Sequence, residues 1–195
     1  MMKRKITVLL LVAICVAIAA TGTLAYFNQE DTAHNVITTG GVDIEVQEWA
    51  DEAMTEPFAD QTGVMPGTSV TKIALVKNTG SAAAWLRVKL DVAVQDADKE
   101  PLSAEPIVLD IGENWKLQED GYYYYQKPLA PGERSDPIFT TVTFNPEMGN
   151  EYQRATATVD LSAQAVQTAN NGDTVMDAKG WPEPTATPTP EPTWP

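Results

Sequence analysis

From Val42 the chain alternates in twos, with Val42, Ile44 and Val46 apolar and Asp43, Glu45 and Gln47 polar between them. Side chains two apart share one face of a strand, so this pattern predicts a β-strand with one face buried and the other wet. The alternation returns at Leu86, Val88, Leu90 and Val92, separated by Arg87, Lys89 and Asp91. It is longest from Ala155 to Gln167, where Ala155, Ala157, Val159, Leu161, Ala163 and Ala165 fall on one side and Thr156, Thr158, Asp160, Ser162 and Gln164 on the other. A further strand runs from Ile138 to Phe144, with Ile138, Val142 and Phe144 on a common side.

Between these runs stand turn signals: Pro66-Gly67, Asn78-Thr79-Gly80-Ser81, Asp120-Gly121, Pro131-Gly132 and Met148-Gly149-Asn150. Asp120-Gly121 lies between Trp115-Lys116-Leu117 and Tyr122 to Tyr125, which predicts a tight hairpin with both central residues at positive φ. Many strands joined by Gly/Pro turns, with no sustained helical period, predict an all-β antiparallel sandwich over residues 42–180. A single short helical stretch is expected around Thr174 to Lys179.

The N-terminus follows a different rule. Lys3, Arg4 and Lys5 precede an apolar run from Ile6 to Ala20, and Thr23 and Ala25 then place small side chains on either side of Leu24. A basic start, an apolar core and a small-residue site are what an export machine and a signal peptidase read, so residues 1–25 are expected to be a signal peptide that forms a helix. Cleavage after Ala25 makes Tyr26 the new N-terminus and frees an arm of Tyr26, Phe27, Asn28, Gln29, Glu30 and Asp31, within an arm and first-strand region of residues 26–41. An uncleaved anchor is the competing reading, because the uncharged run counted through Phe27 approaches the roughly 20 residues of a bilayer span. The membrane is otherwise not an expected partner.

Cleavage changes the charge. It removes three basic side chains and no acidic one, so 13 basic residues fall to 10 against 27 acidic, and the formal charge moves from −14 to −17. Such a surface repels nucleic-acid backbones and anionic lipid. Cys15, the one cysteine, lies in the apolar run, so the mature chain has neither a disulfide nor a cysteine nucleophile. An exported domain held by packing alone suits the exterior of a Gram-positive bacterium, secreted or at the cell surface.

Residues 181–195 hold six prolines among Thr and Glu, and are expected to form a disordered, polyproline-like tail outside the core. A spacer, a stalk and a recognition peptide are all consistent with that composition.

Several of these segments, in this order, resemble the exported proteins matured by SipW-type signal peptidases, the TasA/camelysin-like family. They are Ala25-Tyr26-Phe27-Asn28, Thr39-Gly40-Gly41-Val42-Asp43-Ile44, Met65-Pro66-Gly67 with the strand after it, Asn78-Thr79-Gly80-Ser81, and the closing Ala163-Gln164-Ala165-Val166-Gln167. The resemblance runs from Met1 to about Gln167 and implies a jelly-roll or immunoglobulin-like sandwich. It also implies a secreted, non-enzymatic protein of biofilm-matrix fibres, whose mature arm, here Tyr26 to about Ala33, adds as a strand to a neighbour. The partners it implies are further copies of the chain or related matrix proteins, with the signal peptidase during export. The Pro-rich tail is not among the family's usual features.

Enzymatic alternatives find little to build on. A zincin site needs two histidines one helical turn apart, and the chain has only His34, so no metal site or cofactor is expected. Asp43 and Glu45 share a strand face, a pairing that a glycosidase's acid and base would need, but they alternate with Val42, Ile44 and Val46 as the wet side of a sheet does. Asp91, Asp96 and Asp98 lack the glycine and spacing of a calcium loop. The run Tyr122 to Tyr125 on a strand sends two rings each way, which opens an alternative reading as a monomeric carbohydrate-binding surface module. A cross-strand ladder is the plainer account of those rings, and Trp85 and Trp115 are expected in the core.

Overall fold

The computed structural model describes residues 35–38 (backbone only), 41–59, 61 and 65–182. Among these residues ten strands make two sheets: β1 Asn35–Thr38, β2 Ile44–Trp49, β3 Ser69–Asn78, β4 Ala84–Gln95, β5 Pro101–Leu102, β6 Ile107–Leu109, β7 Trp115–Leu117, β8 Tyr123–Tyr125, β9 Phe139–Phe144 and β10 Thr156–Gln167. One sheet has the order β1-β10-β4-β8-β7, with β5 also paired to β4, and the other has the order β2-β3-β9-β6. They form the expected sandwich. All pairings are antiparallel except one: β1 runs parallel to β10, from Asn35 opposite Ser162 to Thr38 opposite Ala165.

The core between the sheets follows the alternation in the sequence except at the start of β10, where Ala157, expected on the inward side, is exposed. Val42, Ile44 and Val46 enter it while Asp43 and Glu45 stay exposed, and Leu86, Val88 and Val94 enter from β4. Val159, Leu161, Ala163 and Ala165 meet them from β10. Twelve consecutive residue pairs, from Thr156 opposite Gln95 to Gln167 opposite Ala84, join β10 to β4 and form the spine of the fold. Ile138, Phe139 and Val142 fill the core from the other sheet, with Phe144 packed at its margin. Burying a side chain as large as Phe139 contributes roughly 1.5–3 kcal/mol from removal of apolar surface alone.

Asn78 organises one end of the sandwich. Fully buried, it donates through Nδ2 to the carbonyls of Ala82 and Leu129 and accepts the Gly80 amide through Oδ1. Thr79 and Gly80 then donate to the Asp43 carbonyl, at 2.9 and 3.0 Å. A Cβ on Gly80 would stand 2.5 Å from the Asp43 amide nitrogen, so only glycine permits this approach.

The β7–β8 hairpin forms as expected but with a different turn. Leu117 pairs with Tyr123, the Gly121 amide donates to Gln118, and among the residues near the tip only Gly121 has positive φ, at 79°. Glu119 and Asp120 are therefore the centre of an ordinary turn, with Gly121 the left-handed residue that follows it in a three-residue loop. The extra residue suits Asp120, whose carboxylate accepts the Tyr122 amide. The stretch around Thr174 to Lys179 is a turn rather than a helix, with Asp177 donating to Thr174 and Ala178 to Val175.

Candidate functional site

The signal segment with Thr23 and Ala25, the arm Tyr26 to Asp31, and His34 all lie outside the described residues. What the structure does place is the strand edge they lead to. β1 covers only Ser162 to Ala165 of β10, so the stretch Thr156 to Leu161 has β4 on one side and no strand on the other among the described residues. Unpaired backbone N–H and C=O groups along a strand edge are a template for one more strand.

Beside that stretch stands a buried ion pair. Lys72 Nζ lies 2.9 Å from a Glu48 carboxylate oxygen, with both side chains about nine-tenths buried, and it also reaches the Val159 carbonyl at 3.4 Å. The Phe58 ring packs over the ammonium, 4.8 Å away. Parity explains the position of Glu48, since it shares the inward face of β2 with Ile44 and Val46.

The outer face of the other sheet carries a second apolar layer. Trp85, Tyr122, Tyr124 and Val166 are buried there beneath Val175, Ala178 and the half-buried Trp181. Tyr122 and Tyr124 thus point outward and Tyr123 and Tyr125 inward, as a strand demands, but the outward rings are only 8% and 7% exposed. The open ring platform that a glycan-binding module would use is covered by the chain's own segment after β10. Asn171 ties that segment down, donating to the carbonyls of Gln167 and Lys179 and accepting the Lys179 amide.

Arg87 sits at the centre of this layer. Its Nε donates to Gln164 Oε1 at 2.8 Å, and Nη1 donates to Tyr124 OH at 2.9 Å and to Asp120 Oδ2 at 3.2 Å. Its guanidinium carbon lies 4.1 Å from the centre of the Tyr122 ring and 4.7 Å from that of Trp181. A guanidinium held at its edge and stacked on its faces is worth roughly 0.5–2 kcal/mol per aromatic contact, depending on desolvation. Burial raises the Tyr124 phenol above its usual value, and its hydrogen bond to Asp120 adds to the rise while Arg87 opposes it.

A polar knot closes the edge at β7. Asp136 Oδ2 accepts Lys127 Nζ at 2.9 Å, Asn114 Nδ2 at 2.8 Å and Tyr125 OH at 3.0 Å, and the Asp136 carbonyl accepts Trp115 Nε1. The Lys127 hydrogen bond, outweighing partial burial, holds the Asp136 carboxyl below its usual value. Asp110 is also lowered: burial pushes it up, but the Thr140 hydroxyl and the Thr140 and Thr141 amides outweigh that. Each of these carboxylates is a bracket between strands.

The sequence reading placed the strand faces but missed Arg87, Gln164 and Trp181 as one assembly. Its signal was present in the last turns of β10, where Val166 is apolar on the face that Asp160 and Ser162 leave polar. A strand apolar on both faces is covered on both.

Among the described residues no group of three or more His, Cys, Asp or Glu could hold a metal ion, and no helix is long and apolar enough to cross a membrane. No curated protein and no solved structure matches the chain. A family profile does: that of the camelysin metallo-endopeptidases matches residues 1–123. A chain with one histidine and no cysteine after residue 15 does not offer the donor set of a two-histidine zinc centre. The matched region includes the segments around Val42-Asp43 and Asn78 to Gly80, which the fold locks together through the Asp43 carbonyl. Over well more than half its length, then, this sequence carries the family's pattern, and the chain belongs to the camelysin/TasA family.

Proposed function

We propose that the chain is a secreted, non-enzymatic structural protein of an extracellular fibre or cell-surface matrix, in which the arm Tyr26 to Asp31 adds as a strand to a neighbouring copy. Family membership supports the coarser part, a secreted matrix-type protein. The finer part is supported by one observation above all: among the described residues the edge of β10 has no partner strand from Thr156 to Leu161, six residues long, against an arm of six residues. A strand added head to tail, without closing a ring, propagates a filament.

The energetics allow it. Each backbone hydrogen bond contributes about 1 kcal/mol net, and burying each of the rings of Tyr26 and Phe27 adds roughly 1.5–3 kcal/mol. Together these are of the size of the association cost, about 4–15 kcal/mol. Until the peptidase cuts after Ala25 the arm remains joined to the signal segment, so cleavage is the trigger. The tethered precursor cannot donate it.

The test is polymerisation of the protein beginning at Tyr26, followed by light scattering and electron microscopy, beside a form lacking Tyr26 to Asp31. Filaments from the first and none from the second are expected, with faster growth as salt rises or pH falls, because both weaken repulsion between copies at −17. Equal polymerisation of the two forms, or slower growth in salt, sinks the reading.

A further inference from the structure

We propose that the Arg87 cage is a receptor for a Trp-Pro pair, and that its second occupant is Trp194-Pro195 of another copy of this chain. Nothing in this depends on the arm at the other end of the protein. The described structure shows how the cage takes its first occupant, Trp181, which is followed by Pro182. The indole stacks on the Arg87 guanidinium, meets Tyr124 edge-on with ring centres 5.7 Å apart, and donates its N–H to the Ala178 carbonyl. On the receiving side Gln164, Asp120 and Tyr124 hold the guanidinium by its edge and Tyr122 backs it. Trp181 is the outermost, half-buried layer and belongs to no strand, so it can leave without breaking a sheet hydrogen bond.

The sequence supplies a second key. Trp-Pro occurs twice, at Trp181-Pro182 and Trp194-Pro195, and each stands beside the same acidic proline motif, Glu183-Pro184-Thr185 and Glu191-Pro192-Thr193. The other tryptophans, Trp49, Trp85 and Trp115, are followed by Ala, Leu and Lys and lie in the sandwich. Glu183 to Pro195 is 13 residues, which in a fully extended proline-rich chain at about 3.1 Å per residue corresponds to at most about 40 Å. Trp181 has the advantage of being tethered beside its site, an effective concentration in the millimolar range for short tethers. Exchange between copies therefore belongs to crowded molecules, not dilute ones.

The experiment uses the chain from Tyr26 to Pro195. The Trp181→Ala/Trp194→Ala variant removes both keys, and a peptide of residues 189–195 is titrated into it by NMR and calorimetry. Binding that shifts the Arg87 Nε–H and the Tyr122 and Tyr124 ring signals is expected. It should weaken at least tenfold when the peptide's tryptophan is replaced by alanine, or when Arg87→Leu is added. Trp181→Ala alone should self-associate in sedimentation equilibrium at least tenfold more strongly than the double variant. Should the emptied cage prove unstable, wild type titrated with excess peptide releases Trp181, whose indole N–H signal then leaves its Ala178-bonded position. No shift in any of these at millimolar peptide overturns the receptor. Peptide binding with Trp181→Ala strictly monomeric overturns the exchange between copies.

Discussion

Lys72 and Glu48 offer a direct measure of how this sandwich is balanced. Their charges lie 2.9 Å apart with side chains 8% and 10% exposed. At an effective dielectric of roughly 20 they attract by about 6 kcal/mol. Removing both from water costs several kcal/mol for each ion, so the intact pair is close to neutral against two apolar residues of similar size. Breaking it from one side is another matter. Lys72→Met takes this cation from a buried carboxylate, and Glu48→Leu takes the carboxylate from an ammonium that keeps the Val159 carbonyl and the Phe58 ring. Each single change is expected to cost about 3–5 kcal/mol, and the double change to return within about 1 kcal/mol of wild type. At roughly 2–4 °C per kcal/mol for a domain of this size, the singles melt about 6–20 °C lower. Urea unfolding of the four proteins, followed by tryptophan fluorescence and circular dichroism, closes the cycle. Singles costing under about 1 kcal/mol, or a double costing their sum, would refute the placement of this pair as a coupled buried unit.

Phe139→Ala empties a fully buried site and should lower stability by about 3–5 kcal/mol in urea unfolding, the usual range for a large core ring. Gly80→Ala drives a Cβ against the Asp43 amide at 2.5 Å, so a loss of about 1–3 kcal/mol is expected in the same assay, against a few tenths for an exposed control position. Asp136→Asn addresses pH. A carboxyl held below its unfolded value of 3.8 stabilises above that pH and loses the contribution as pH falls through the lower folded value. The Lys127–Asp136 contact is about half exposed, so the gap between wild type and Asp136→Asn should be at most about 1 kcal/mol at pH 7 and should shrink below pH 3.8. A gap that stays constant down to pH 2 contradicts the bracket assigned to Asp136.

The faces of β2, of β4 from Leu86 to Val92 and of β10 from Val159 to Ser162 were legible because one side there is wetter than the other, and a period of two then needs no tertiary information. Asp43 and Glu45 are exposed, as that pattern requires. β3 was not legible in the same way. Lys72 through Val76 are buried at every position, so both faces are covered there, and continuous burial erases the alternation. Lys72 reads as a solvated charge in the sequence, and only the partner 24 residues earlier, Glu48, explains its burial. The outward tyrosines failed for a related reason. Tyr122 and Tyr124 were correctly assigned to one side, but what covers them arrives more than 40 residues later, from Val175 to Trp181. Local pattern finds a face; it does not find the distant segment that lies on it.

The pairing of β10 with both β1 and β4 has a consequence for the timing of folding. β10 is the last strand among the described residues, and the twelve-residue ladder it makes with β4 joins residues as many as 83 positions apart. Contacts of such sequence separation form slowly, since a long loop must close before any is rewarded. A chain emerging N-terminus first, from a ribosome or through a translocation pore, has β4 waiting unpaired on this side until Thr156 to Gln167 have followed. A product truncated before residue 156 lacks the ladder partner of β4 and has no route to the native sheet.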